Sequence, residues 1–476
     1  MKEPIYYPIT HPQRRIWYTE MLHSSKSIYN VGFTIKIDQK IDYSLLNQAI
    51  NRVIKENDSL RIRLKQKYDH EPIQYFAEFK EELLDFSDLS TAKDSKIDEW
   101  MTQKLEEPFQ FYDTALYYFN IIKIRDEESI IFFKLHHIIT DGLSMHILVR
   151  DIIDHYVNLS TGIEKCVPKG SYVQFIESEE KYLNSSSFKD DEAFWLDEFQ
   201  TIPSTTGLKT FNPYMTSTKS SREVFNVSNE LRDKIKEFSQ KNKFSLFTIF
   251  VSALQLSLHR WTSSKDIVLG TAYGNFTGKD DKEITGMMVS TLPLRMNIEA
   301  EEEVLDFIAR LDRKKRKIIK HKRYPLNILY EKIKKEEMNF DRFFRVSMDY
   351  RYEELSHQLK HELTWLPNNH EDNELYLNIV ERPNMGDLVF LVDYREELFS
   401  KEEISHFINS MFILLENLLK NPNQKTRELN MLSKEEQQLL FVDFNKSNLP
   451  LPVLDCFAHQ VIEEQVEKRP DAIAAI

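Results

Sequence analysis

His136-His137-Ile138-Ile139-Thr140-Asp141-Gly142 is the stretch from which the rest of this chain is read. It follows the apolar run Ile130 to Leu135, which reads as a strand, and precedes a span from about Leu143 to Leu159 with the apolar spacing of a helix. Two imidazoles and a carboxylate therefore sit in a strand-to-helix turn. Adjacent residues in extended backbone point to opposite faces, so His136 and His137 do not chelate one metal together. One faces a core and the other a cleft, where an imidazole titrating near neutrality can accept or orient a proton. Asp141, if buried, needs donors. The N-terminus of the following helix supplies backbone N–H groups and partial positive charge, which can also face a developing oxyanion. The competing reading of the same seven residues is a hydrogen-bonded polar turn without chemistry.

Outward from this turn, strands and helices are mixed throughout, as an α/β (α+β) architecture requires. Thr10 and Gln13 form a capping-box signal for a helix through Leu22, with a strand at Val31 to Ile37, a helix at Tyr43 to Glu56 and a strand at Leu60 to Leu64. The polar stretch from about Asn184 to Ser221, with Pro203 and Pro213, reads as an irregular crossover. Helices at Ser228 to Gln240 and Ser245 to Trp261, strands at Asp266 to Thr271 and Val289 to Met296, and a helix at Val304 to Lys320 follow. Strands near Val346 to Tyr350 and Asp387 to Tyr394 and a helix at Lys401 to Lys420 complete that half. Ser433 caps a short helix, Ser447 to Pro452 is a linker, Phe457 to Lys468 is an amphipathic helix, and Ile473 to Ile476 opens a strand with no partner. A helix and half a strand bury no core, so the chain reads as a piece of a longer polypeptide.

Composition narrows the function. The chain has 476 residues, is 41% hydrophobic and carries a net charge of −13, enough to bury a large core in roughly two to four lobes. The acidic balance argues against a general nucleic-acid binder, whose affinity rests on neutralising phosphates. Cys166 and Cys456 form neither a disulfide framework nor a zinc-ligand spacing, and a reducing cytoplasm fits best. The N-terminus lacks the apolar core of a signal peptide, and the longest uncharged apolar stretch, Phe244 to Leu258, is shorter than the ~20 residues a bilayer needs. Only 10 residues are Gly, and four of them (Gly270, Gly274, Gly278, Gly286) share one stretch that reads as needing backbone freedom. The basic run from Arg310 to Arg323 reads as a solvated helix face, with contact to a carrier or to coenzyme A phosphates as its alternative. His146 and His155 read as packing or surface residues.

The string His-His-x-x-x-Asp-Gly resembles the active-site motif of the condensation domains of nonribosomal peptide synthetases, in the chloramphenicol acetyltransferase-like superfamily. Further stretches resemble that family's motifs in order: Thr10 to Leu22, Arg52 to Leu64, Tyr172 to Phe175, Ile284 to Arg295, His321 to Pro325 and Phe340 to Tyr350. The resemblance covers about residues 5 to 430, and residues 431 to 476 resemble the linker and start of an adenylation domain.

The resemblance implies two acetyltransferase-like lobes in a V-shaped pseudo-dimer, residues 1–180 and 181–430, with a tunnel between them. It also implies a floor loop at about 270–295, a latch at about 381–392, and a truncated adenylation start at 431–476. It makes His137 the catalytic residue, gives His136 and Asp141 supporting roles, and puts the Gly142 N–H near the reacting carbonyl. Trp17, Tyr18, Asn275, Ser290 and Arg295 are the candidates for the tunnel, although Trp17 and Tyr18 also fit an ordinary core. Asn275 stands where the family often has the arginine that pairs with the motif aspartate, and Ser290 where asparagine is common. Arg295, Arg150 or backbone donors must then satisfy Asp141.

The implied reaction is amide formation between the α-amine of an aminoacyl thioester on an acceptor carrier protein and a donor acyl thioester. The first motif begins about ten residues after Met1, and the texture around Arg15 to Glu20 and Met288 to Thr291 is similar to starter domains of lipopeptide synthetases. These features suggest a starter domain that takes a fatty acyl group, with or without a 3-hydroxyl, from acyl-CoA. The expected partners are acyl-CoA, a downstream peptidyl carrier protein bearing 4'-phosphopantetheine, and an adjoining adenylation domain, with no tightly bound cofactor and a monomeric state. An elongation domain and a non-catalytic carrier-docking module are the competing readings.

Overall fold

A computed structural model describes residues 3–22, 27–67, 70–162, 169–203, 207–209, 217–276, 278, 280–353, 359–383, 385–446 and 457–472. Cys166, Cys456, the linker at 447–452 and the strand expected at 473–476 lie outside the described residues. Residues 1–430 form one compact unit and residues 431–476 another.

The first unit is built on two mixed sheets flanked by helices. One has five strands, with Glu128–His136 at its centre between Asn30–Ile37 and Tyr117–Arg125. Ile131, Phe133 and Leu135 on one face of Glu128–His136 and Phe132 on the other are all fully buried, each such side chain contributing about 1.5–3 kcal/mol of transfer free energy. Burial on both faces fixes the register, because a one-residue slip would exchange the two faces. The helix Gly142–Thr161 then runs back over Tyr43–Glu56 on the same core.

The second sheet has six strands, with Asp266–Gly274 between Val289–Asn297 and Val346–Tyr352. Leu375–Arg382, Asp387–Arg395 and Ser220–Asn226 extend it. Of the residues expected as the latch (381–392), 381–382 and 387–392 lie in the antiparallel pair Leu375–Arg382 and Asp387–Arg395 inside this sheet. The segment that crosses to the other sheet is His361–Leu366, which pairs with Asn30–Ile37 and sets Trp365 opposite Phe33. The polar stretch expected to be irregular from Asn184 contains the helix Ser186–Glu198, capped by Ser185 and anchored by the buried Trp195.

In the second unit, a capping box of Ser433 and Glu436 opens Lys434–Gln438, which runs on into a wider turn at Leu439–Asp443, and Ala458–Lys468 is a helix. Among the described residues no helix is long and apolar enough to cross a membrane.

Candidate functional site

The motif strand ends at His136, and His137–Ile139 make one tight turn before the helix. His136 is buried; its Nδ1 accepts from the Ile138 N–H, and its Nε2 lies 3.6 Å from Glu20 Oε2. His137 faces the other way, into a cavity of about 1040 Å³ between the two sheets. Its Nδ1 lies 2.8 Å from the Thr140 carbonyl oxygen. A carbonyl only accepts, so Nδ1 carries the proton and Nε2 presents a lone pair. The ring stands edge-on to Tyr29, whose carbonyl takes the His137 N–H. Burial holds the imidazole pKa down to about 4, so it is neutral at cellular pH. Gln13 of the first helix donates to the Ile138 carbonyl and locks the turn from outside.

Asp141 caps the motif helix. Its Oδ1 accepts from the Ser144 N–H at 2.9 Å and from Ser144 Oγ at 2.7 Å, and its Oδ2 accepts from the Met288 N–H at 3.1 Å. No arginine is among these donors: Arg150 binds Glu283 and Asp151, and Arg295 binds Asp266. Burial raises the Asp141 pKa and these hydrogen bonds oppose the rise. Met288 belongs to the loop joining Asp266–Gly274 to Val289–Asn297, so the motif aspartate ties that loop to the helix. Ser144 Oγ adds bonds to the Gly286 backbone, and the Tyr172 hydroxyl donates to the Met287 carbonyl. Gly286 has φ +145, and a Cβ there would sit 2.2 Å from the Tyr172 ring, so the loop turns at a residue that must be glycine.

Gly142 opens the helix without a left-handed backbone angle. The absence of its side chain keeps the cavity open: a Cβ would lie 3.7 Å from Arg351 Nε.

Of the tunnel candidates, Tyr18 lines the cavity, with its hydroxyl on Glu71. Trp17 instead packs against the core and donates weakly to the Tyr112 hydroxyl at 3.4 Å. Asn275 and Ser290 bond each other beside the cavity, while their neighbours Gly274, Phe276, Val289 and Thr291 line it. Arg295 is a correction: it shares the strand face of Val289 and Thr291 but lies four residues beyond Thr291, about 13 Å further along the strand, where it is fixed to Asp266 and to the carbonyls of Glu198 and Thr201. His146, read as packing, lines the cavity one turn beyond Gly142; His155 pairs with Glu56. In the basic run, Arg310 binds Glu302, Lys314 binds Glu198 and Lys315 is buried on Asp312, leaving Arg313, Arg316, Lys317 and Lys320 exposed. Sequence reasoning missed Arg351 and Tyr376 on the cavity wall.

The family model for the condensation domain matches residues 5–441. The chain belongs to the condensation-domain family. Condensation domains catalyse amide-bond formation in nonribosomal peptide synthesis. The chain is 31% identical over 98% of its length to a plipastatin synthase of Bacillus subtilis (strain 168), and 32% identical over 92% to a surfactin synthase of the same organism. It spans only 18% and 12% of those two proteins. Among solved structures, a variant of the starter condensation domain of rhizomide synthetase in complex with C8-CoA shares the fold, with TM-score 0.80 and 19% identity over 90% of this chain and 98% of that one. The first condensation domain of the calcium-dependent antibiotic synthetase does so with TM-score 0.79 and 16% identity over 90% and 99%.

Proposed function

We propose that this is a starter condensation domain, which N-acylates the aminoacyl thioester on an acceptor carrier protein with a fatty acyl group from acyl-CoA. The observation that carries the chemistry is the Nε2 lone pair of His137 on the wall of a cavity of about 1040 Å³. That volume stands at the upper end of ordinary ligand sites, roughly 300–1,000 Å³, and leaves room for two thioester-borne substrates.

The acceptor α-amine has a reference pKa of about 7.7–8.0, so an appreciable fraction is neutral at cellular pH and no strong base is needed. Its nitrogen attacks the donor carbonyl carbon and forms the C–N bond. His137 Nε2 orients the amine, takes its proton as the tetrahedral adduct collapses and returns that proton to the leaving sulfur, so coenzyme A departs as the thiol and the imidazole is neutral again. An imidazole with a pKa held near 4 suits this late step, since the ammonium of the adduct is a far stronger acid than the free amine's conjugate acid. Proximity in the cavity supplies much of the acceleration. His136, Asp141 and Gly142 act through the turn: His136 and Asp141 fix its shape, and Gly142 keeps the wall open.

The acyl-CoA donor is supported by the C8-CoA complex of the rhizomide synthetase neighbour, a starter condensation domain of the same fold. In this reading residues 431–476 lead into an adenylation domain, the protein acts in the cytoplasm as a monomer, and the acceptor amino acid rides on the phosphopantetheine arm of the carrier. The test is to incubate the protein with an acyl-CoA series and an aminoacyl-loaded carrier and to look for the acylated aminoacyl carrier by mass spectrometry. Product from acyl-CoA supports the starter reading. Product only from a carrier-borne donor replaces it with elongation, and no product from either donor leaves a docking module.

A further inference from the structure

We infer that Arg351 receives a carbonyl oxygen of a thioester-borne substrate in the gap it forms with Gly142; this rests on the condensation reading above. Arg351 lies on the strand Val346–Tyr352 of the six-stranded sheet and lines the cavity. Its guanidinium reaches the motif turn, 3.7 Å from where a Gly142 Cβ would stand. Beneath it lies Trp365 of the crossing strand, with the guanidinium carbon 4.3 Å from the ring centroid. The arginine thus lies between the Trp365 ring and Gly142, whose missing side chain leaves a gap about the size of a methyl group beside the guanidinium.

Two of its nitrogens, Nε and Nη1, are buried and have no hydrogen-bond partner among the described residues. Asp349 lies 3.6 Å from Nε, beyond hydrogen-bond reach, so it balances the charge without satisfying the donor. A guanidinium serving only to hold the fold would have acceptors on its buried N–H groups. Asp349 stands beside the guanidinium as its counter-charge, so Arg351 does not require an anionic ligand and a neutral oxygen fits its free N–H groups. At its reacting end each substrate of the proposed reaction brings such an oxygen, the thioester carbonyl, and the donor and the acceptor are its two sources; the amide carbonyls of the pantetheine arm are common to the thioester and thioether probes and do not affect the comparison.

The test reads binding rather than turnover. Calorimetry compares an acyl-CoA with the S-alkyl-CoA thioether of the same length, which lacks the carbonyl, and an aminoacyl pantetheine with its aminoalkyl thioether. The proteins are wild type, Arg351→Met, which keeps the stem on Trp365, and Arg351→Lys. Wild type is expected to prefer the carbonyl compound by about 10-fold or more in one arm, as a charge-assisted hydrogen bond supplies. Arg351→Met is expected to lose that preference while binding the thioether as wild type does. Loss in the first arm assigns the donor carbonyl, and loss in the second the acceptor. Unchanged preference in both arms overturns the inference, as does a wild type without preference. If Arg351→Met fails to fold by its melting curve, Arg351→Lys is read by the same criterion. A wild type that binds no acyl-CoA refutes the starter reading, and the acceptor arm then decides Arg351 alone.

Discussion

Replacing Asp141 by alanine strips three donors of their acceptor at once: the Ser144 N–H, Ser144 Oγ and the Met288 N–H. The Ser144 hydroxyl has one proton and two acceptors within reach, so without Asp141 it turns to the Gly286 carbonyl, 2.9 Å away, and loses little. Loss of the helix cap costs about 1 kcal/mol, and the buried Met288 N–H left without a partner about 1–3 kcal/mol more. The sum is about 2–4 kcal/mol. Release of the carboxylate's own burial cost, visible in its raised pKa, offsets part of this, so the lower half of that range is expected. Asp141→Asn separates the two contributions: its amide oxygen keeps the cap, while its NH2 faces the Met288 N–H donor to donor. It should therefore recover about 1 kcal/mol over alanine and no more. Urea denaturation at pH 7 of wild type and both variants measures these differences. A loss below about 0.5 kcal/mol in Asp141→Ala, or an asparagine variant as stable as wild type, refutes the argument that Asp141 ties the loop carrying Met288 to the motif helix.

Gly286→Ala meets a left-handed φ and a Tyr172 ring 2.2 Å from the new Cβ; strain and overpacking together predict a loss of about 2–6 kcal/mol, read in a thermal melt. For His137 the folded pKa of about 4 lies below the unfolded 6.5, so the native state binds fewer protons between these values. From this group stability is full above pH 6.5 and falls by up to about 3 kcal/mol toward pH 4; because His11, Glu179 and Glu371 also carry shifted pKa values in this range, the contribution is read as the difference in slope between wild type and His137→Gln across pH 4.5 to 7.5. Arg295→Met breaks the bonds to Asp266, Glu198 and Thr201 far from the cavity. It should lower the melting temperature by a few degrees, the shift that about 1–2 kcal/mol makes, and leave the single-turnover rate within about twofold.

The motif turn was legible because strand, turn and helix are local: the apolar run to Leu135, the paired histidines and the cap at Asp141 lie within one short segment. The bounds expected for Tyr43 to Glu56, Val304 to Lys320 and Lys401 to Lys420 match the helices found, since their apolar spacing is long and regular. That backbone N–H groups at the start of the following helix hold Asp141 was legible, and Ser144 supplies one; the Met288 N–H was not, because any residue type supplies that group. His361–Leu366 escaped notice because an edge strand pairing on a distant sheet needs only a weak pattern, and the crossing was placed instead in a stronger apolar run that proves to lie inside the second sheet. Arg351 was invisible for a similar reason: a charged residue within a strand reads as solvent-facing until its partners across the gap are known.

The measurement that bears most directly on the account is single-turnover condensation with His137→Ala, using acyl-CoA and an aminoacyl-loaded carrier and quantifying the acylated aminoacyl carrier by mass spectrometry. The account predicts a fall of about 10²-fold or more, in the range a positioned proton acceptor contributes, in a variant that still folds and still binds both substrates. An unchanged rate in that variant would contradict it.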